Sequence, residues 1–227
     1  MDCAKANFKL LILALSDDPL DPPGYGRYGG AQLFVFNLGR YLVRVGYEIV
    51  YISRKSRPDK PKFQSLGPLC RIYRIVAGPE EEINHHHLFL MMDQIHAGVG
   101  EVLKAEKNFD AVQSHNWISG LIATEIGIKP HYHHVLSLGR VRLELGEEKD
   151  SSDHLRDEGE FKVFGEATYL ICATKDEAVS MQKLYPNIDK SKIRIIPYAV
   201  DNNIYERRPY DTNNFIHRAA KRLKERF

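Results

Sequence analysis

Residues 24–32 read GYGRYGGAQ, and these glycines spell two different chemistries. Gly24, Gly26 and Gly29 match G-x-G-x-x-G, the turn that lets a backbone approach a dinucleotide pyrophosphate. That turn must follow the first strand directly, and the second strand should end in a carboxylate for the ribose. Here eight residues separate Leu15 from Gly24, and the second strand ends YISRK. The context fails, so a nicotinamide cofactor is set aside. Gly29 and Gly30 instead open a helix directly, where bare N–H groups can face an anion such as a diphosphate. A plain glycine N-cap before a core helix explains the pair equally well, and position leaves both readings open.

Two further clusters sit where strands end. SHNWISG brings His115, Asn116 and Trp117 together just before a helix. Singly, a core tryptophan and a satisfied buried histidine account for them; together at a strand terminus they read as a cleft. HHVLSLGRVR places Ser137, Gly139, Arg140 and Arg142 after another apolar strand, a chemistry suited to a phosphate or a sugar hydroxyl, or else a solvated loop. Arg156 and Glu160 stand at i, i+4 and can support each other on a helix. The run His85–His87 points its side chains in different directions on a helix, so it reads as surface rather than a metal site. H-E-x-x-H, G-x-S-x-G and P-loop patterns are missing from the sequence.

The composition bounds these options. The chain has 227 residues, 43% apolar and 27% charged, which is ordinary for a globular protein with its own core. A net charge of +2 lends no support to nucleic-acid binding. Cys3, Cys70 and Cys172 are scattered, as expected of buried thiols in a reducing, cytoplasmic compartment. No apolar run is long enough to span a membrane, and no signal peptide is read.

These residues must be carried by strands that alternate with helices. FKLLILAL is a strand buried on both faces; a helix with Leu33, Leu38, Leu42 and Val45 on its apolar side follows and ends at Gly46. EIVYIS is the second strand, and RKSRPDKPKFQSLGPL reads as a polar loop. RIYRIV is a third strand, alternating as at an edge, and one long helix is expected from about Glu80 to Lys107. FDAVQSH, HYHHVLSL, TYLICAT and KIRIIP complete seven strands, with helices from Trp117 to Ile126, in the segment around Arg156, and in KDEAVSMQKLY. The tail NNFIHRAAKRLKERF is a basic amphipathic helix with Ile216, Ala220, Leu223 and Phe227 on one face. The pattern predicts an α/β, doubly wound, Rossmann-like parallel sheet with helices on both faces. In such sheets ligands bind at the carboxyl ends of the strands, so the loops after the first, fourth and fifth strands are the places to look.

With these loops in place, the chain resembles the N-terminal domain of the large retaining GT-B glycosyltransferase family (group 1, family 4 type). Sucrose-phosphate synthase and the glycosyltransferase of mycothiol biosynthesis belong to that family. Six segments match family blocks in order: GGAQLFVFNLGRYLVRVGYEIVYISR, RIYRIVAGP, FDAVQSHNWISGLIA, HHVLSLGRVR, RDEGEFKVFGEATYLICATKDE and KIRIIPYAVDNNIYERRP. The resemblance implies one half of a GT-B fold, with residues 1–208 as the acceptor-side domain and 209–227 leading towards a second domain. It implies that Gly29 and Gly30 lie against the donor's diphosphate and sugar. His115, Asn116 and Trp117 would line the cleft. His133, Ser137, Arg142, Arg156 and Glu160 would serve the acceptor side, with Arg156 facing a phosphate or other anion.

The implied reaction moves a hexose from a nucleotide sugar to a small-molecule or glycan acceptor with retention, without metal or cofactor. It depends on positioning and on stabilising the departing diphosphate. The implied partners are that donor, that acceptor, and a C-terminal GT-B domain in cis or as a separate subunit. The isolated chain is expected to be inactive, holding roughly half an active site. Nucleic acid is not among the partners; the tail's basic face leaves peripheral membrane contact open against a solvated surface. Among the departures from the family pattern, Leu136 stands for a histidine, Arg142 for a lysine and Ala199 for a glycine, and the second domain is expected beyond this sequence. Leu136 motivates the alternative of a non-catalytic binding or scaffolding module. A family lysine near Asn84 and His85 is missing, which disfavours a phosphorylated acceptor. Residues after the third strand and in the helix from Glu80 would set acceptor identity.

Overall fold

A computed structural model of the chain describes residues 8–21, 30–83, 85–135 and 153–198. Its strands are β1 (Lys9–Leu13), β2 (Glu48–Arg54), β3 (Phe63–Gly67), β4 (Cys70–Ile75), β5 (Ala111–His115), β6 (His131–His134), β7 (Tyr169–Cys172) and β8 (Ile193–Ile195). Its helices are α1 (Gly30–Arg44), α2 (His85–Leu88), α3 (Met92–Ala105), α4 (Asn116–Ile126), α5 (Asp153–Glu166) and α6 (Lys175–Leu184). The strands form one sheet in the order β3-β4-β2-β1-β5-β6-β7-β8. Every pair is parallel except β3 with β4.

The winding reverses at β1. The chain steps from β1 to β2 and β4 on one side, then crosses back so that β5 pairs with the other edge of β1. Right-handed crossovers therefore send α1 to one face and α3–α6 to the other. The burial pattern agrees. Leu11 and Leu13 join Ile95, Ile118, Val163 and Met181 in one cluster, whereas Leu10 and Ile12 join Val35, Ile49 and Tyr51 in another. The sheet is the expected doubly wound, Rossmann-like α/β architecture with helices on both faces.

Several local expectations are corrected. The stretch between β2 and β4 is not all loop: β3 pairs antiparallel with β4 and covers its outer edge, so β4 is not an edge strand. Phe63, Ser65 and Leu66 are exposed, so β3 carries no alternating apolar signal. The long helix is also broken. It begins at His85, passes through a 3₁₀ turn at Phe89–Met91, and resumes as α3. The residues before it are tied down instead, because the Arg54 guanidinium donates to the carbonyls of Pro79 at 2.7 Å and Glu81 at 2.5 Å. Lys55 pairs with Glu80 beside them.

On α1 the most buried residues are Gln32, Val35 and Gly39, while Leu33, Leu38 and Leu42 are only partly covered and Val45 is exposed. A close approach decides this face: a Cβ on Gly39 would lie 2.5 Å from Tyr51 Cζ. The Tyr51 hydroxyl donates to the Val35 carbonyl at 3.3 Å, and the ring is buried. The helix stops as read, with Gly46 at φ +94. The amphipathic tail 209–227 lies outside the described residues. Gly39→Ala is expected to destabilise the fold by roughly 1–3 kcal/mol through overpacking against Tyr51. Thermal unfolding checks this, and an unchanged midpoint would refute the close approach.

Candidate functional site

The winding reversal leaves a crevice at the carboxyl ends of β1 and β5, the usual ligand position in open α/β sheets. A small cavity sits there, lined by Ala14, Asp17 and Pro19 after β1, Ala31, Gln32 and Val35 of α1, and His115 and Asn116 after β5. Gly30 opens α1 at its rim. A Cβ at Gly30 would meet nothing within 4 Å, and the first turn of α1 carries no acidic side chain. The first turn thus adds no negative charge against the positive end of the helix dipole. Gly29, Ser137, Arg142 and Leu136 lie outside the described residues.

Asn116 holds the crevice together. It adopts φ +64, a left-handed conformation that asparagine tolerates better than most residues. Its side-chain amide donates to Ser16 Oγ, and its Oδ1 accepts from Ser119 N–H at 3.1 Å. Ser119 Oγ in turn accepts from Leu15 N–H at 3.1 Å. Two hydrogen bonds thus clamp the loop after β1 onto the start of α4. Asp18 anchors the same loop from the far side. Its carboxylate accepts from Arg74 Nε at 2.5 Å and from Lys60 Nζ at 2.8 Å, and the Asp18 and Arg74 side chains are each only 1% exposed.

Strand parity divides the histidines into two groups. Ser114 stands beside His133, and His115 beside His134, across the β5–β6 ladder. On the face towards α4 and α5, the Ser114 hydroxyl bridges His131 Nε2 at 2.7 Å and His133 Nδ1 at 2.8 Å, donating to one ring and accepting from the other. On the face towards α1, His115 and His134 meet edge to face with ring centroids 5.3 Å apart, and no ring nitrogen of either has a hydrogen-bond partner among the described residues. Burial lowers the pKa of all four imidazoles: His131 and His134 fall to about 4, and His115 and His133 well below their usual range. Proximity of the rings adds to this for His115 and His133. All four rings are neutral at physiological pH.

The residues expected to line one cleft are therefore split. His115 and Asn116 border the cavity with the N-terminal turn of α1. Trp117 is instead buried among the helices, stacked on Phe89 at 5.6 Å and packed against Gly159. His133 lies on the same side as Trp117, its Cε1 beside Gly120. Arg156 is held by Glu160 at 2.7 Å, and the other oxygen of Glu160 accepts from the Tyr185 hydroxyl at 2.5 Å. The cavity lining also includes two residues that the sequence reading did not select, Asp17 and Gln32, while Phe34 and His134 pack against His115. Parity alone could have paired His134 with His115, but only once β5 and β6 were known to be neighbours. Among the described residues, no group of three or more histidine, cysteine or acidic side chains is placed to hold a metal ion.

The family model for Glycosyltransferase Family 4 matches residues 28–203. The chain belongs to Glycosyltransferase Family 4. Its similarity extends to the D-inositol 3-phosphate glycosyltransferase of Mycolicibacterium paratuberculosis, 30% identical over 89% of this chain and 47% of that protein. It also extends to the enzyme of the same name from Xylanimonas cellulosilytica, 29% identical over 85% of this chain and 48% of the other. The sucrose-phosphate synthase of Thermosynechococcus elongatus shares the fold, with a TM-score of 0.79 and 22% identity over 87% of this chain and 50% of that one. The chain thus spans about half the length of its relatives and forms the N-terminal domain of a GT-B glycosyltransferase fold. In this family member no described helix is long and apolar enough to cross a membrane.

Two predictions follow from the geometry. Asn116→Ala removes the clamp and places alanine at a left-handed φ, so stability should fall by about 2 kcal/mol or more, of which Asn116→Gly recovers about 1 kcal/mol. Equal urea midpoints for the three proteins would refute the clamp. The second concerns pH. Burial lowers the folded-state pKa of His131 and of His134 from the ordinary 6.5 to about 4, so the unfolded chain binds more protons in that window. Stability is complete above the unfolded value and is lost as pH falls towards the folded one, by up to about 1.4 kcal/mol per pH unit for each ring. Urea midpoints measured from neutral pH down to about pH 5 should fall accordingly; a flat profile would overturn the assignment of neutral, buried rings.

Proposed function

We propose that this chain is the acceptor-side half of a retaining glycosyltransferase, moving a hexose from a nucleotide sugar to a small hydroxylated acceptor. The observation that carries this reading is the crevice at the winding reversal, lined by the first residues of α1 and by His115, which has no hydrogen-bond partner among the described residues, in a Family 4 chain. In this reading the α1 N-terminus, which Gly30 opens, stabilises charge on the departing diphosphate, the role the resemblance also gives Gly29. His115 offers a neutral donor and acceptor to a sugar hydroxyl. Asn116 acts from behind, holding Ser16 and Asp17 in place. Arg156 is kept in one orientation by Glu160, so that Ser137, Arg142 and Arg156 together order the acceptor. The donor base is assigned to a C-terminal domain, consistent with a chain half the length of its relatives. Residues 209–227 would lead to that domain.

A second reading, a non-catalytic binding module, is favoured by one position, Leu136 in place of the family histidine. The test joins the chain to the C-terminal half of a relative, in cis or in trans, and follows transfer from common nucleotide sugars by NMR. Transfer with retained anomeric configuration is the expected result. No transfer with both halves folded would overturn the proposal. If the leucine form is active, the binding-module reading fails; if only Leu136→His is active, that reading gains.

A further inference from the structure

Arg54 ends β2 and is buried, a charged side chain outside the crevice lining. Its guanidinium donates to the carbonyls of Pro79 at 2.7 Å and Glu81 at 2.5 Å, and its Nε has no partner among the described residues. Lys55 pairs with Glu80, and Gly78, at φ +68, donates its N–H to Gln94 Oε1 of α3 at 2.8 Å. Residues 78–81 form neither helix nor strand, yet each is held by a side chain from the end of β2 or from α3. The path of this segment brings it to the site. It leaves the carboxyl end of β4, is fastened at that of β2, and leads through α2 to Phe89, which stacks on Trp117 in the first turn of α4 at 5.6 Å. Because β2 and β1 lie between β4 and β5, the segment runs over the carboxyl ends of both. Leu88 joins the cluster on the α3–α6 face, so the segment stands across the crevice from α1.

We propose that Arg54 is a positioning residue for the acceptor, acting through residues 79–83 and touching no substrate itself; this rests on the acceptor-side reading above. A buried guanidinium is costly, and apolar residues of similar volume often stabilise a fold as well or better. What the guanidinium adds is direction. Its planar fork aims two donors at once, and both targets are backbone carbonyls, so it sets the path of the main chain whatever side chains the segment carries. Burial works against the charge of Arg54, and the carboxylates of Asp17 and Glu81 act the other way. Asp17 belongs to the loop after β1 and lines the cavity, whereas Glu81 belongs to the segment after β4. Arg54 is thus within electrostatic reach of both walls of the crevice and hydrogen-bonded to one of them.

Two measurements test this. In the full chain, hydrogen exchange at Gly78 and Glu80–Ile83 should quicken about tenfold in Arg54→Met, with exchange in β1, β2 and β5 unchanged. In the chain joined to a relative's C-terminal half, the acceptor probes are myo-inositol, D-myo-inositol 3-phosphate and D-glucose. There Arg54→Met should raise the acceptor KM about tenfold and leave the donor KM unchanged. Arg54→Lys, which keeps the charge but lacks the planar fork, should recover part of the loss. A purely structural role would lower the amount of active protein, and so kcat, without moving either KM. Glu80→Gln weakens only the pair with Lys55; it should give the same shifts in smaller measure, and it decides the matter if Arg54→Met does not fold. Unchanged exchange at 78–83, a rise spread evenly over the sheet, or an unmoved acceptor KM in an active joined protein would each overturn the role of Arg54 and leave the acceptor-side reading intact. A joined protein that is folded yet transfers to none of the probes overturns that reading, and this inference with it.

Discussion

The pairing of β5 with β1 is the constraint on which the rest of the molecule depends. It reverses the winding of the sheet, and the fixed hand of the crossovers then sends α1 and α4 to opposite faces. The loops leaving β1 and β5 diverge as a result, and a gap opens between them. Asn116 and Ser119 bridge this gap by binding Ser16 and Leu15. Asp18, fixed by Arg74 and Lys60, holds the loop from the other side. The crevice is therefore a consequence of topology, with its rim loops tied by a few polar contacts and its lining part apolar, from Ala14, Pro19, Ala31 and Val35.

The same pairing sorts the histidines. Because side chains alternate along a strand, His133 and His134 point to opposite faces although they are neighbours in sequence. On one face Ser114 bridges His131 Nε2 and His133 Nδ1, while His131 Nδ1 has no partner among the described residues. The other receives His115 and Phe34 and remains polar without partners. Burial keeps both groups neutral. A single residue's shift in register would exchange the two roles, so the chemistry of the crevice is tied to the β5–β6 ladder.

Much of the fold was legible in the chain. Apolar runs such as LLIL and IVYIS read as strands buried on both faces, Gly46 read as a helix stop, and the ordered blocks matched the Family 4 domain. Less legible was β3, because FQSLG has no apolar period and is held by its hydrogen bonds to β4. The delayed start of the helix at His85 was also hidden, since Arg54 and Lys55 hold residues 79–81 from a distant strand end. At the site, the sequence singled out His115 and Asn116, but it grouped them with Trp117 and His133, which pack on the face covered by α3–α6.

What the sequence determined by itself was the kind and order of most elements, the family, and the strand ends where chemistry gathers, because periodicity and turn residues act over a few neighbouring positions. What only the tertiary structure decided was which side chains share a face. His134 joins His115 because β5 and β6 align in register, and Gly39 outranks Leu38 as a packing position because Tyr51 arrives from another strand. Such contacts join residues far apart in the chain and depend on the hand of the crossovers and the pleat of the sheet, quantities that local sequence does not encode.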